Sequence, residues 1–368
     1  MNHTESPAGL YVHIPFCDGR CGYCVFYSVI YDSDNANSLL SALEKEAGNY
    51  RFAPKTIYFG GGTPTILQTV QLERLCSVIR SSFDLCCLKE WTVEANPGTL
   101  THEKLKVLKS AGVTRISIGC QSFDPDALLF LGRRHTVSDS LESINLAREA
   151  GFDNLSIDLI ASLPGFAKDV WEKTLETAVT TGVDHISVYA LTLEEGSLLT
   201  KKASCGGFVP LTEDDELRDL SVTKTILGRA RFKRYEISNY SKPGKECLHN
   251  LDCWRGGEYI GLGPAASSHM LHRRWTNIAD IDEYIERLKG GKPVVAFKED
   301  LTPEVESLDL VIFGLRMLEG VSEKHAKPFE DKLMKLAESG FVTNTKGRWL
   351  LTEKGLDMAD FVALEIMP

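Results

Sequence analysis

The sequence predicts an α/β protein: a partial (β/α)6 barrel followed by a C-terminal winged-helix-like α+β module. Two observations carry that prediction. Three segments share one form, GVTRISIG from Gly112, GFDNLSID from Gly151 and GVDHISVY from Gly182. Each follows an amphipathic stretch (His102–Ala111, Ser138–Ala150 and Asp169–Thr181), and a glycine just past a helix suits a left-handed cap. Each then returns as a short strand, so the repeat has the size of a βα unit. From Pro303 the pattern changes to helix, helix, hairpin, helix.

The elements follow in order. Strands are predicted at Leu10–Phe16, Thr56–Gly60 and Trp91–Ala95, joined by helices at Ser38–Tyr50 and Thr69–Phe83, and the three repeats complete six units. Strands alternating with helices imply right-handed crossovers and a parallel sheet. No further unit precedes residue 200, which leaves a curved partial barrel or an open doubly wound sheet. Both place a site at the C-terminal ends of the strands. Residues 1–200 are thus the barrel. Residues 201–300 read as an irregular, Gly-rich region with CGG at 205–207, a helix near Glu213–Arg229 and one strand, RYEISNYS, at 234–241. Residues 301–368 form the module, with helices at Pro303–Leu318 and Pro328–Ser339, the hairpin FVTNTKGRWLLT and a last helix.

With 41 basic and 51 acidic residues the net charge is −10, which disfavours nucleic acid as a partner. A winged helix can bind DNA or serve as a packing module, and this tail is not basic enough for the first. No apolar run is long enough to span a membrane, which still leaves room for peripheral contact. The polar leader from Met1 lacks a secretory layout, so a cytoplasmic location is expected. Ten cysteines there read as thiols or metal ligands rather than disulfides. Cys76, Cys86, Cys87, Cys120 and Cys205 read as small core residues.

Chemistry concentrates after the strands. HIPFCDGRCGYCVF sets Cys17, Cys21 and Cys24 on one short loop with the spacing C-x3-C-x2-C. Three thiolates suit an iron–sulfur cube with one open iron, whereas structural zinc prefers four closed ligands. TIYFGGGTPT ends strand two, where Gly61, Gly62 and Thr63 either let a ligand approach the backbone or form a tight turn. Glu94, Gln121, Asp158 and Thr192 end or follow strands three to six, and Arg133 lies beyond strand four. Glu94 and Asp158 can accept from amino and hydroxyl groups and Arg133 can pair with a carboxylate, although a buried strand-end carboxylate can also be structural.

Taken together, YVHIPFC, GGGTP, VEANP, IGCQSF, LGRRH and IDLIASLPG resemble the radical S-adenosylmethionine (SAM) superfamily, and within it the family of the oxygen-independent coproporphyrinogen III dehydrogenase. The resemblance implies a [4Fe–4S] cluster on Cys17, Cys21 and Cys24. It implies SAM contacts from Tyr11, Tyr23, Gly61, Gly62, Thr63, Glu94, Gln121, Arg133 and Asp158, with Thr192 added by its position. The dehydrogenases carry a cysteine where this chain has Phe26, and a long segment before the first strand. In both respects the chain is similar instead to the HemW-type haem chaperones, marked by H-N-x-x-Y-W. Here that motif reads HNLDCW, with Cys253 at the Tyr position. The similarity implies haem as cargo, held by His249 and Cys253 beside Trp254. It also implies partners that accept haem, assemble iron–sulfur clusters and donate electrons. A His bonded within the fold, with Trp254 in the core, is the alternative. The alternative activity is oxidative decarboxylation of coproporphyrinogen III to protoporphyrinogen IX.

Overall fold

The computed structural model describes residues 9–367, so the leader at 1–8 lies outside the described residues. Six βα units form as anticipated. The strands are β1 Gly9–Ile14, β2 Thr56–Gly61, β3 Glu90–Ala95, β4 Arg115–Gln121, β5 Leu155–Ala161 and β6 His185–Ala190. The helices between them are α1 Ser33–Ala47, α2 Thr69–Ser82, α3 His102–Ala111, α4 Val137–Glu149 and α5 Lys168–Thr180. Helix α1 starts five residues earlier than the apolar pattern suggests, because the Asp32 carboxylate accepts from the N–H groups of Asp34 and Asn35. The three repeat glycines close their helices in the left-handed region, at φ 104°, 81° and 72° for Gly112, Gly151 and Gly182. The next residues, Val113, Phe152 and Val183, are buried.

The six strands pair in parallel from β1 to β6. Along them the side chains alternate between an apolar outer face and a polar inner face. Leu10, Val12, Ile57, Phe59, Trp91, Val93, Ile116 and Ile157 share one core with the outer helices. The register puts Tyr11 beside Tyr58, Glu94 beside Ser117 and Asp158 beside Ser187 on the opposite, inner face. A one-residue slip would exchange the two sets and bury the polar one among helices, at about 1.5–3 kcal/mol for each large apolar side chain lost from the core.

Residues 201–300 are not irregular. After α6 Glu213–Arg229 come β7 Lys233–Arg234, β8 Asn239–Ser241, α7 Leu248–Trp254, β9 Tyr259–Leu262, β10 Ser267–Met270, β11 Arg273–Asn277, α8 Ile281–Lys289 and β12 Val295–Asp300. These strands extend the barrel sheet at both edges, in the order β12-β11-β10-β9-β1-β2-β3-β4-β5-β6-β8-β7. Strand β9 pairs in parallel with β1, and the outer strands are antiparallel. Short edge strands carry polar residues on both faces, so their period was hidden. RYEISNYS breaks in two because Glu236 is buried and accepts from Ser238 N–H and the Asn239 amide.

The module has its own core, including Val311, Leu315, Leu333, Trp349 and Val362. It comprises α9 Pro303–Arg316, β13 Val321–Ser322, α10 Glu330–Glu338, the hairpin β14 Val342–Thr345 and β15 Arg348–Leu351, and a final stretch split into α11 Glu353–Asp357 and α12 Ala359–Ile366. Ion pairs Lys224–Asp357 and Arg255–Glu319 tie it to the rest. Of the cysteines read as core, Cys76 and Cys120 are buried, whereas Cys86, Cys87 and Cys205 are exposed. The exposed three sit in loops and at a helix end, where apolar neighbours in sequence are not neighbours in space. No helix among the described residues is long and apolar enough to cross a membrane.

Candidate functional site

The cysteine loop leaves the C-terminal end of β1 and is clamped at both ends. Phe16–Cys17 pairs with Val29–Ile30, and the loop middle is fixed by Gly22 N–H to Leu131 O at 2.9 Å and Leu199 N–H to Gly22 O at 2.8 Å. Cys17, Cys21 and Cys24 are half-buried free thiols. Among the described residues no three His, Cys, Asp or Glu side chains converge on one ion position. Burial pushes the Cys17 and Cys24 thiols up, so iron has to displace their protons.

The second strand supplies the cradle. Gly62 N–H donates to Ile14 O at 2.8 Å, and a Cβ at Gly62 would stand 2.6 Å from Phe16 O. Thr63 N–H donates to Phe16 O at 2.7 Å, and its hydroxyl lies 3.7 Å from Cys17 Sγ. Asn96 donates to that hydroxyl at 2.7 Å and accepts from Arg133 Nη2 at 2.7 Å, while Arg133 Nη1 reaches Cys21 Sγ at 3.3 Å. One polar chain thus runs from the first thiol to the second. Gly62→Ala is expected to push the second strand's turn off the cysteine loop at about 1–3 kcal/mol, and to lower iron uptake. Unchanged melting temperature and iron content would contradict this packing.

Behind the loop the inner face is polar and enclosed. Tyr58 donates to Glu94 at 2.6 Å, Tyr11 OH bonds His13 Nδ1 at 3.0 Å, and Ser117 reaches Asp158 at 3.4 Å. Burial raises the Glu94 carboxyl to about 7, with the Asp158 charge adding to the shift, and burial also raises Asp158. Gln121 holds a left-handed backbone at φ 65°. Tyr23 lies beside Arg133. Arg133 Nε is buried with no acceptor. A guanidinium with one free N–H, two buried carboxyls and three thiols fit a zwitterionic ligand at an iron–sulfur cube. Thr192 is exposed beyond β6, its hydroxyl only 3.5 Å from Ala190 O. His13, Tyr58, Asn96, Ser117 and Ser187 escaped sequence reasoning, and period-two alternation along each strand was the signal that could have found them.

The HNLDCW segment is helical and docks at the other end of the strands. Glu90, which opens β3, accepts from the N–H groups of Leu248 and His249, each at 3.1 Å. His249 is 6% exposed, bonded through Nδ1 to Thr56 Oγ1 at 2.9 Å and packed on Tyr58. In this conformation the His249 ring is enclosed between α7 and the strands. Trp254 is half-buried rather than a core residue, and its ring lies 5.8 Å from that of Phe313. Cys253 and Trp254 instead line a cleft of about 420 Å³ shared with Tyr259, His269, Leu310 and Phe313.

The barrel and its three-thiol loop agree with a match to the radical SAM superfamily over residues 11–178. A Bacillus subtilis protein named Heme chaperone HemW is 34% identical over 363 residues, spanning 94% of this chain and 95% of that protein. Its Lactococcus lactis namesake is 32% identical over 369 residues, spanning 97% of each. The solved structure of coproporphyrinogen III oxidase (HemN) from Escherichia coli, a radical SAM enzyme, superposes with a TM-score of 0.85 at 22% identity, covering 99% of this chain and 91% of that one; it shares the fold. The chain belongs to the radical SAM superfamily and, within it, to the HemW family. That family implies a [4Fe–4S] cluster and SAM.

Proposed function

We propose that the protein is a haem chaperone that carries a [4Fe–4S] cluster and SAM in its barrel and hands haem to an acceptor protein. The observation that carries this reading is the end-to-end similarity to proteins named Heme chaperone HemW. Cys17, Cys21 and Cys24 would hold the cluster, which together with SAM supplies one-electron chemistry when bound. Arg133 would pair with the carboxylate of SAM, while Glu94 and Asp158 accept from its amino and hydroxyl groups. Gly61, Gly62 and Thr63 admit the ligand to the backbone, Gln121 and Tyr23 flank it, and Tyr11 and Tyr58 close the chamber floor. Phe26, 70% exposed on the cysteine loop, can neither ligate metal nor donate hydrogen as the dehydrogenase thiol can. Ten free thiols suit a reducing cytoplasm, where cluster-assembly and electron-donor proteins would meet it.

The test is transfer. Haem-loaded, cluster-reconstituted protein mixed with apomyoglobin is expected to yield the holo-globin Soret band faster than free haemin released by dilution. Haem retained indefinitely, or never bound, would contradict chaperone function.

A further inference from the structure

The structure assigns the haem cargo to the cleft between α7, the strands β9 to β11 and α9, with His269 Nε2 as the iron ligand. This rests on the chaperone reading and names the site that reading requires. The cleft is assembled by register. Tyr259 pairs with His269 and His269 with Arg274, so the three side chains form one row across β9, β10 and β11. Helix α9 covers that row with Glu306, Asp309, Leu310 and Phe313, one stripe at helical spacing, and α7 closes the end with Cys253 and Trp254. At about 420 Å³, with aromatic and aliphatic walls, it has the size and lining of a site for a flat apolar ligand.

The imidazole is prepared for iron. His269 Nδ1 lies 3.4 Å from Gly257 O, a carbonyl that can only accept, so Nδ1 carries the proton. Nε2 is left with its lone pair, the tautomer and outer hydrogen bond typical of a metal-bound histidine. The wall also holds a buried donor with no acceptor, Trp254 Nε1. Of the three carboxylates that line the cleft, Asp309 is paired with Arg274, Glu306 bonds His272 and Glu258 accepts from Leu271 N–H. The propionates of a haem held there point away from these groups, to solvent. His249 makes no comparable offer, since its ring is buried and bonded to Thr56.

The position has a functional consequence. Tyr259 stands level with Gly9, the first residue of β1, whereas the thiols follow its last. At roughly 3.3 Å per residue the cleft lies about 20 Å along the strands from the cluster. Haem held there is out of reach of chemistry at the cluster, and is cargo rather than substrate.

Haemin titration of the full-length, cluster-reconstituted chain tests the assignment. His269→Gly is expected to weaken haem binding at least tenfold and to shift the Soret band, and added imidazole should restore the wild-type band. Leu310→Trp, which fills the cleft without touching a ligand, should also weaken binding at least tenfold. Iron content at the wild-type level shows that each variant is folded. Wild-type affinity and spectrum in folded His269→Gly, or undiminished binding in folded Leu310→Trp, would overturn this site while leaving the chaperone reading intact. Failure of the unaltered chain to bind haemin would overturn that reading and the site with it.

Discussion

Replacing Cys21 with Ala is expected to take the anaerobically reconstituted protein from close to four irons per chain to almost none. A cube with three protein-bound irons has no spare ligand, and the nearest remaining thiols, Cys17 and Cys24, cannot both orient it and fill the vacated position. The effect extends beyond one thiolate, because Arg133 Nη1 contacts Cys21 Sγ and links through Asn96 and Thr63 to Cys17. Iron and sulfide analysis, with the cluster's charge-transfer absorbance, reads the outcome. A Cys21→Ala protein that keeps a full cluster would remove the cysteine loop from the site.

The second large effect is on SAM. Asp158→Ala and Arg133→Ala are each expected to weaken SAM binding tenfold or more with iron content retained, since a lost charge-assisted hydrogen bond costs about 1.5–3 kcal/mol. The pH dependence follows from Glu94, whose carboxyl is raised to about 7 by burial. A folded value above the unfolded one means that, without ligand, Glu94 contributes stability that is complete below the ordinary carboxyl range and lost as pH rises through about 7. A ligand donating hydrogen bonds to Glu94 favours the ionised form, so SAM affinity should rise roughly tenfold from pH 6 to pH 8. Glu94→Gln should flatten that rise. Equal affinity at both pH values in the unaltered protein, or an unchanged slope in Glu94→Gln, would place SAM elsewhere.

The barrel was legible because its signals are local. A glycine cap followed by an apolar residue at Gly112, Gly151 and Gly182 reports both the end of a helix and the return to the sheet, whatever the rest of the chain does. The thiol loop and the glycine turn were legible for a like reason, since spacing and backbone approach are written into consecutive residues. The middle region was not, because β8 is three residues long and β12 is largely exposed on both faces, so neither shows a period. The inner-face partners Asn96 and Tyr58 were missed because each looks ordinary alone and acquires a role only through a residue more than thirty positions away. His249 shows the converse. Its motif draws attention to the right helix, but Glu90 and Thr56, which fix it inward, belong to other strands. The cleft that this helix helps to build is also lined by His269, which carries no motif.

The measurement that bears most directly on the account is a paired assay on one anaerobically reconstituted sample, split between haemin titration and incubation with coproporphyrinogen III, SAM and reductant. The predicted result is one haem bound per chain and no protoporphyrinogen IX above the background of protein lacking a cluster. Protoporphyrinogen IX formed over many turnovers per chain, with no saturable haem binding, would contradict it.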